Sequence, residues 1–222
     1  MKKVILSIIV SLILTSIIGC KLEKETVKLE KTTSKVGVGF NVFADKNRTG
    51  IQATFEKSSE LDSIQIEFNG EKLTKSEEKD GRIDYTASFE NYEKVSQFLI
   101  TRPDGKQYKF EVIVEPIDFQ VEEPFTIHRL KPTEIPISRP YTGQYPLSLA
   151  VFDNYIGGFK TEAQINKNKN AIILSKSDRE RLSVGDAKIS LYNVEIMDIE
   201  NDLFDGTMHV SYKSEIKLKV VK

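Results

Sequence analysis

Residues 64–74 read Ile-Gln-Ile-Glu-Phe-Asn-Gly-Glu-Lys-Leu-Thr, and this stretch decides the fold class. Apolar and polar side chains alternate from Ile64 to Phe68, which is the period of a β-strand with one buried face. Asn69-Gly70 follows at once, and this dipeptide is the strongest short signal for a two-residue hairpin turn. The stretch therefore predicts two antiparallel strands joined by a tight turn.

The same alternation continues on both sides of this hairpin. Asp80-Gly81 and Pro103-Asp104-Gly105 supply further turn signals. No stretch of the first half shows the 3.6-residue period of a helix, and short strands with regularly spaced turns are typical of a β-sandwich. The candidate strands are Val36–Phe43, Ile51–Phe55, Ile64–Phe68, Glu71–Thr74, Arg82–Phe89, Val95–Thr101 and Tyr108–Val114.

A new pattern begins after Glu115-Pro116, and we place a domain boundary there. Prolines are frequent between residues 124 and 146, and proline suits edge strands because it cannot donate to a ladder. Residues 175–182 form the best helical turn, with Ser177 as the predicted N-cap. The candidate strands are Phe125–His128, Ile135–Ile137, Leu147–Phe152, Phe159–Ile165, Ala171–Leu174, Ala187–Ile196, Thr207–Tyr212 and Ile216–Val221, the last two forming either a hairpin or one bent strand.

Two turns carry a resemblance to a known class of domain. Residues 182–191, Leu-Ser-Val-Gly-Asp-Ala-Lys-Ile-Ser-Leu, place a Leu-x-x-Gly turn before an alternating strand, and residues 100–106 read as a last hairpin. Both resemble corners of immunoglobulin-like and fibronectin-type-III-like domains, although the Cys-Trp-Cys framework of antibody domains is missing. The resemblance implies an all-β chain with two immunoglobulin-like β-sandwiches in tandem, at residues 36–116 and 117–222.

The N-terminus carries a targeting pattern. Lys2 and Lys3 precede an apolar run from Val4 to Ile18, and Gly19-Cys20 follows. This order resembles a bacterial lipoprotein signal, which implies a signal peptide at 1–19, cleavage before Cys20 and acyl lipid on the cysteine sulfur. The run is shorter than the roughly 20 residues of a membrane-spanning helix, which is the alternative interpretation.

The predicted anchor fixes an expected location. Residues 20–35 would be the lipidated cysteine and a charged, solvated tether. The protein is then a membrane-attached component of the bacterial cell envelope whose polypeptide is extracytoplasmic. Lys21 implies the outer membrane in a Gram-negative host, and a Gram-positive outer leaflet is the alternative.

Composition excludes several classes of partner and stabilising bond. The net charge is −1, so a nucleic-acid partner is not expected. Cys20 is the only cysteine, so no disulfide forms within the chain. The sequence contains no phosphate-binding, metalloprotease or nucleophile-elbow motif, and we expect no cofactor.

Two local groups are candidate sites. Asp198, Glu200, Asp202 and Asp205 form the densest acidic cluster, and hard cations such as calcium prefer several oxygen ligands. The alternative is a solvated acidic loop with a hairpin turn at Asp205-Gly206.

Tyr141 and Tyr145 lie on a short loop between Pro140 and Pro146. Tyrosine offers a flat apolar ring with a polar tip, which suits contact with a glycan or a protein. The alternative is that both rings cover the edge of a core.

The sequence favours a binding or interaction module over an enzyme. His128 and His209 are the only histidines, and no arrangement of catalytic residues is recognisable. We expect an adhesin-like protein or an accessory protein of envelope assembly that contacts an envelope protein or glycan. The alternatives are an envelope glycan hydrolase with two carboxyl groups about 5–9.5 Å apart, and a structural spacer.

Overall fold

The computed structural model describes residues 35–58, 61, 63–77, 80–153 and 157–222, without the side chains of residues 76 and 77. The predicted signal peptide, Cys20 and all of the tether except Lys35 lie outside the described residues. The strands are β1 (Val36–Asp45), β2 (Arg48–Glu56), β3 (Gln65–Phe68), β4 (Glu71–Lys72), β5 (Thr74–Glu77), β6 (Arg82–Phe89), β7 (Val95–Thr101), β8 (Gln107–Ile113), β9 (Phe125–His128), β10 (Thr133–Pro136), β11 (Ser148–Asp153), β12 (Gly157–Glu162), β13 (Gln164–Asn166), β14 (Ala171–Leu174), β15 (Gly185–Glu200) and β16 (Phe204–Val221).

The all-β prediction is confirmed. The hairpin predicted at residues 64–74 is present, and Asn69 and Gly70 both adopt positive φ, at 47° and 86°. A six-residue helix, α1 (Lys176–Arg181), interrupts the strands at the expected place. Its N-cap is Ser175, whose hydroxyl accepts from the Asp178 N–H at 3.1 Å, so the prediction of Ser177 was wrong by two residues.

One nine-stranded sheet runs through both halves of the chain, and we call it the shared sheet. Its order is β12-β11-β15-β16-β1-β2-β6-β5, and β9 also pairs with β16. The hairpin of β15 and β16 is the central element of this sheet, and its strands are 16 and 18 residues long. The edge of β16 opposite β15 pairs in parallel first with β1 and then with β9.

Two smaller sheets cover the shared sheet. The sheet β4-β3-β7-β8 packs near β1, β2 and β6 and defines the first lobe, and β10-β14-β13 packs near β11 and defines the second lobe. Both lie on the same face, because alternate residues of β16 enter both cores: Met208, Val210 and Tyr212 in the first, and Ile216, Leu218 and Val220 in the second. We call this the covered face and the opposite one the open face.

The two cores differ in composition. Phe40 is fully buried in the first core and lies 4.3 Å from the Phe98 ring and 5.7 Å from the Phe55 ring, measured between centroids. The second core is built mainly from isoleucine, leucine and valine. The structure thus contains two sandwiches that share a sheet. The predicted boundary at residue 116 stays a prediction, and residues 197–212 return the chain to the first core.

The end of the chain resolves the alternative left open for the last two candidate strands. Residues 204–221 are one continuous strand, β16. The hairpin turn expected at Asp205-Gly206 lies instead at residues 201–203, where the Asn201 side chain accepts from the N–H groups of Leu203 (2.9 Å) and Phe204 (2.8 Å). Gly206 has a different role, because a Cβ there would overlap the backbone carbonyl of Val38 on β1. It permits the close approach of two parallel strands.

Candidate functional site

The two loop tyrosines lie against the edge of the shared sheet. Tyr141 is half-buried on the second core, and its ring lies so close to Gly143 that a Cβ there would be 2.7 Å from a ring carbon. Burial, and then the negative charge of Glu195, raise the pKa of the Tyr141 hydroxyl. The Tyr145 hydroxyl donates to the Ile196 carbonyl over 3.5 Å. Their role in ligand binding stays a prediction.

The acidic cluster is spread along the tip of the β15–β16 hairpin. Asp198 pairs across the ladder with Thr207, and Glu200 pairs with Asp205. The described residues contain no group of three or more histidine, cysteine, aspartate or glutamate side chains that could hold a metal ion.

Two of these carboxylates already form ion pairs with lysines. Glu200 forms a 2.9 Å ion pair with Lys35, and Asp202 forms an ion pair with Lys106. These hydrogen bonds lower the pKa of both carboxyl groups. The calcium prediction therefore stays a prediction without support from the geometry.

A groove of about 400 Å³ lies between the end of β1, residues 118–123 and β16, and it tests the hydrolase alternative. Each carboxylate that lines it accepts a hydrogen bond from a group of the fold. Asp45 accepts from the backbone N–H of Asn47 at 2.9 Å. The remaining acceptor–donor pairs are Asp118 with the Tyr212 hydroxyl, Glu123 with the Lys217 N–H, and Glu215 with Lys213, Lys188 and Ser190.

The pKa of Glu215 is shifted in the opposite direction to the shift that a general acid needs. The hydrogen bond from Lys213, followed by those from Lys188 and Ser190, lowers its pKa to about 2 despite partial burial. A glycosidase acid requires a raised pKa so that it is protonated at working pH. The groove therefore gives the hydrolase alternative no support.

The open face carries a different feature, an exposed aromatic ring in the middle of a sheet. Phe43 is 60% exposed, although it follows the buried Val42. Its neighbours across the ladders are Gly50 on β2 and Ser211 on β16. Because both neighbours are small, they leave the flanks of the phenyl ring open.

A groove of about 280 Å³ surrounds this ring, and we call it the Phe43 groove. Tyr192 on β15 contributes a second aromatic side chain, and Ser88 lies next to Gly50 on β6. The groove is lined by Phe43, Ala44, Asp45, Arg48, Gly50, Ser88, Tyr192, Ser211 and Lys213.

The charges that line the Phe43 groove are balanced within the protein. Arg48 lies 3.3 Å from a carboxylate oxygen of Asp45. Lys213 lies 2.6 Å from the carboxylate of Glu215, and this hydrogen bond raises the pKa of the lysine. The groove thus combines two aromatic side chains, hydroxyl groups and paired charges.

Phe43 was not among the predicted site residues, although the sequence contains a local signal for it. Val36, Val38, Phe40 and Val42 occupy the buried phase of the alternation, while Gly37, Gly39 and Asn41 occupy the outward phase. Phe43 continues the outward phase, so its position alone places a large apolar ring on the solvent side. An exposed large apolar side chain at such a position is more informative than a buried one.

Within the described part of the chain, no helix has the length and apolar character needed to cross a membrane. This finding leaves the predicted lipid anchor untested, because Cys20 lies outside that part.

Comparisons with known proteins give weak likenesses. No protein-family model matches the chain, and a search of curated proteins finds no significant match. The mixed-linkage glucan utilization locus protein SGBP-B of Bacteroides ovatus, solved in complex with a mixed-linkage heptasaccharide, is 17% identical over 81% of this chain, with a TM-score of 0.27; the match covers 43% of that protein. A complex of Dpr11 IG1 with DIP-gamma IG+IG2 is 8% identical, covering 83% of this chain and 96% of that one, with a TM-score of 0.21.

Proposed function

We propose that this chain is a binding module of the bacterial cell envelope, attached to a membrane by acyl lipid on Cys20, and that it contacts a neutral glycan through the Phe43 groove. The observation that carries the proposal is the 60% exposure of Phe43 on a sheet face that neither small sheet covers. Exposed apolar groups in a groove with a few polar side chains are typical of ligand sites.

The chemistry of the groove favours a neutral, hydroxyl-rich ligand. An aromatic ring offers a flat apolar surface for the C–H face of a sugar, and Ser88 and Ser211 offer hydroxyl groups. The ion pairs Asp45–Arg48 and Lys213–Glu215 leave little net charge to attract an ionic ligand. The side chains of these pairs retain hydrogen-bonding capacity toward sugar hydroxyls.

A protein partner fits the groove less well. A stable protein interface buries about 800 Å² on each side and is centred on well-packed anchors. The groove offers one strongly exposed ring in a space of about 280 Å³. This is the scale of a small ligand or of a few sugar units.

The test is binding of the lipidated protein, purified in detergent, to a panel of neutral hexasaccharides by isothermal titration calorimetry. We expect Phe43→Ala to weaken binding by about five-fold, because a single aromatic contact contributes about 1 kcal/mol. Ile113→Ala is the matched control, because Ile113 is 51% exposed on β8 of the four-stranded sheet. Equal affinity of both variants, or no binding to any neutral glycan, would contradict the proposed site.

The anchor has a separate test. Cys20→Ser should release the protein from the membrane fraction, because the other residues would supply no acyl chain. Retention of this variant in membranes after washing with high salt would refute the lipid anchor while leaving the binding role untouched.

A further inference from the structure

A second exposed aromatic ring lies on the open face, in the second lobe. Phe152 on β11 is 46% exposed, and its neighbour across the ladder is Lys188 on β15. Its side chain points away from the second core, because Leu149 and Val151 occupy the buried phase of β11. Phe152 therefore shares a face with Phe43.

The Phe152 ring lies against the neighbouring strand. A Cβ on Gly158, its partner on β12, would be 2.5 Å from a ring carbon. The absence of a side chain at Gly158 therefore makes room for the ring beside the β12 backbone. The ring remains partly exposed, which leaves part of its surface available for contact.

A depression of about 450 Å³ adjoins this ring, and we call it the Phe152 depression. Its formal charges cancel within the lining, which contains two carboxylates, Asp153 and Asp186, and two lysines, Lys188 and Lys217. Asp186 also forms a 2.9 Å ion pair with Lys219, and Lys188 shares the carboxylate of Glu215 with Lys213. The depression is lined by Pro124, Phe152, Asp153, Asp186, Ala187, Lys188, Lys217 and Leu218.

The outward residues of β16 connect the two sites. Ser211 and Lys213 line the Phe43 groove, Lys217 lines the Phe152 depression, and Glu215 lies between them. Phe43 and Phe152 are six residues apart along the ladder and three strands apart across it. At about 3.3 Å per residue and 4.8 Å per strand, their backbone positions are about 25 Å apart.

We propose that one linear, neutral glycan chain crosses the open face from the Phe43 groove to the Phe152 depression, so that each lobe supplies one subsite. This inference rests on the proposed function and adds the form of the ligand. Both sites pair an aromatic ring with internally neutralised charges, so both suit the same uncharged polymer. A ligand that reaches both gains the second contact without a second association step.

The test compares binding of short and long members of one neutral oligosaccharide series to the full-length lipidated protein in detergent. We expect the octasaccharide to bind about five-fold more tightly than the trisaccharide, as one added aromatic contact predicts. Phe152→Ala should remove this advantage and leave trisaccharide binding unchanged. Phe43→Ala should weaken both ligands.

Two further variants separate the site from a folding effect. Gly158→Ala should displace the Phe152 ring without removing it and reduce octasaccharide binding alone. Ile113→Ala should change neither ligand. If Phe43→Ala weakens binding while affinity is independent of chain length and of Phe152, the two-lobe path is overturned and the proposed function stands. If no neutral glycan binds, both are overturned.

Discussion

The two faces of the shared sheet are built from the same strands and have different consequences. The covered face of β1 carries Val36, Val38, Phe40, Val42 and Ala44, all buried in the first core. The outward positions of the same strand carry two glycines, an asparagine, Phe43 and Asp45. The two faces of this strand thus carry different kinds of residue: those on one face stabilise the fold, and those on the other are free to contact a ligand. Substitutions on the two faces should differ accordingly.

The largest expected difference in stability is between alanine variants of two phenylalanines that are three residues apart on β1. Phe40→Ala should lower the free energy of unfolding by about 3–5 kcal/mol, because it removes a fully buried ring stacked on Phe98 and leaves a cavity. Phe43→Ala should change it by less than about 0.5 kcal/mol, as is usual for surface positions. Urea denaturation measures both values. Similar losses for the two variants would contradict the assignment of faces.

Gly206→Ala should produce the next largest loss of stability. The added Cβ would overlap the Val38 carbonyl, so β1 and β16 must move apart at a cost of about 2–3 kcal/mol. Gly39→Ala is the control, since no atom lies within 4 Å of a Cβ at that position. A small loss for Gly206→Ala would show that the parallel pair is less closely packed than in the structure.

Glu215→Gln, on the open face, should lower the free energy of unfolding by a smaller amount that depends on pH. Hydrogen bonding, first from Lys213, lowers the Glu215 pKa from 4.5 to about 2, so the folded state favours the charged carboxylate. This stabilisation is present above pH 4.5 and is lost as the pH falls toward 2. Because 35% of the side chain is exposed, solvent screening reduces it to about 1 kcal/mol or less at pH 7.

The measurement is urea denaturation of the wild type and Glu215→Gln at pH 7 and at pH 2. The difference should be largest at pH 7 and much smaller at pH 2, close to the folded-state pKa of Glu215. A difference of the same size at both pH values would assign the effect to packing rather than to charge.

The smallest expected effect has the opposite sign. Gly50→Thr should raise stability by about 0.5–1 kcal/mol, because threonine suits a strand better than glycine and the nearest atom to a Cβ there, the Phe43 carbonyl oxygen, is 3.8 Å away. The same substitution fills the Phe43 groove and should abolish glycan binding. Gly39→Thr should stabilise to a similar degree without affecting binding. Loss of binding in both variants would indicate a general disturbance of the sheet.

Local patterns predicted most individual strands. The bounds of β6, β7, β9 and β14 are those that the sequence predicted. Buried and partly exposed residues alternate strictly in β7, whereas β14 is a short apolar run that is buried on both faces. The turns at Asn69-Gly70 and Gly105 depend on positive φ angles, which glycine and asparagine adopt readily. Such features are encoded within a few residues.

The shared sheet could not be predicted in this way. It depends on the parallel pairing of β1 with β16, whose partners Val36 and Phe204 are distant in the sequence. Residues 213–215, Lys-Ser-Glu, lack an apolar side chain, so the alternation of apolar and polar residues is interrupted in the middle of β16. Ser214 nevertheless occupies a buried position there, 8% exposed. Pairing with neighbouring strands thus makes β16 continuous across residues that show no apolar alternation.

The candidate site depends on register in the same way. The position of Phe43 in the alternation shows that it points outward, but its exposure follows from having Gly50 and Ser211 beside it. Those neighbours are fixed only when three strands are aligned. The acidic cluster and the loop tyrosines were prominent in the sequence because their members are adjacent, whereas the residues of the Phe43 groove come from five strands.

The position of β1 between β2 and β16 has a mechanical consequence. A pull applied to the chain at Lys35 would act along β1, which pairs with β2 on one side and with residues 204–213 of β16 on the other. The ladder bonds lie across the direction of such a pull, so they would be strained together in shear instead of opening one after another. A strand loaded in this way resists extraction as a unit. If the predicted tether transmits tension when a bound ligand is dragged, the first strand of the fold is the element that bears it.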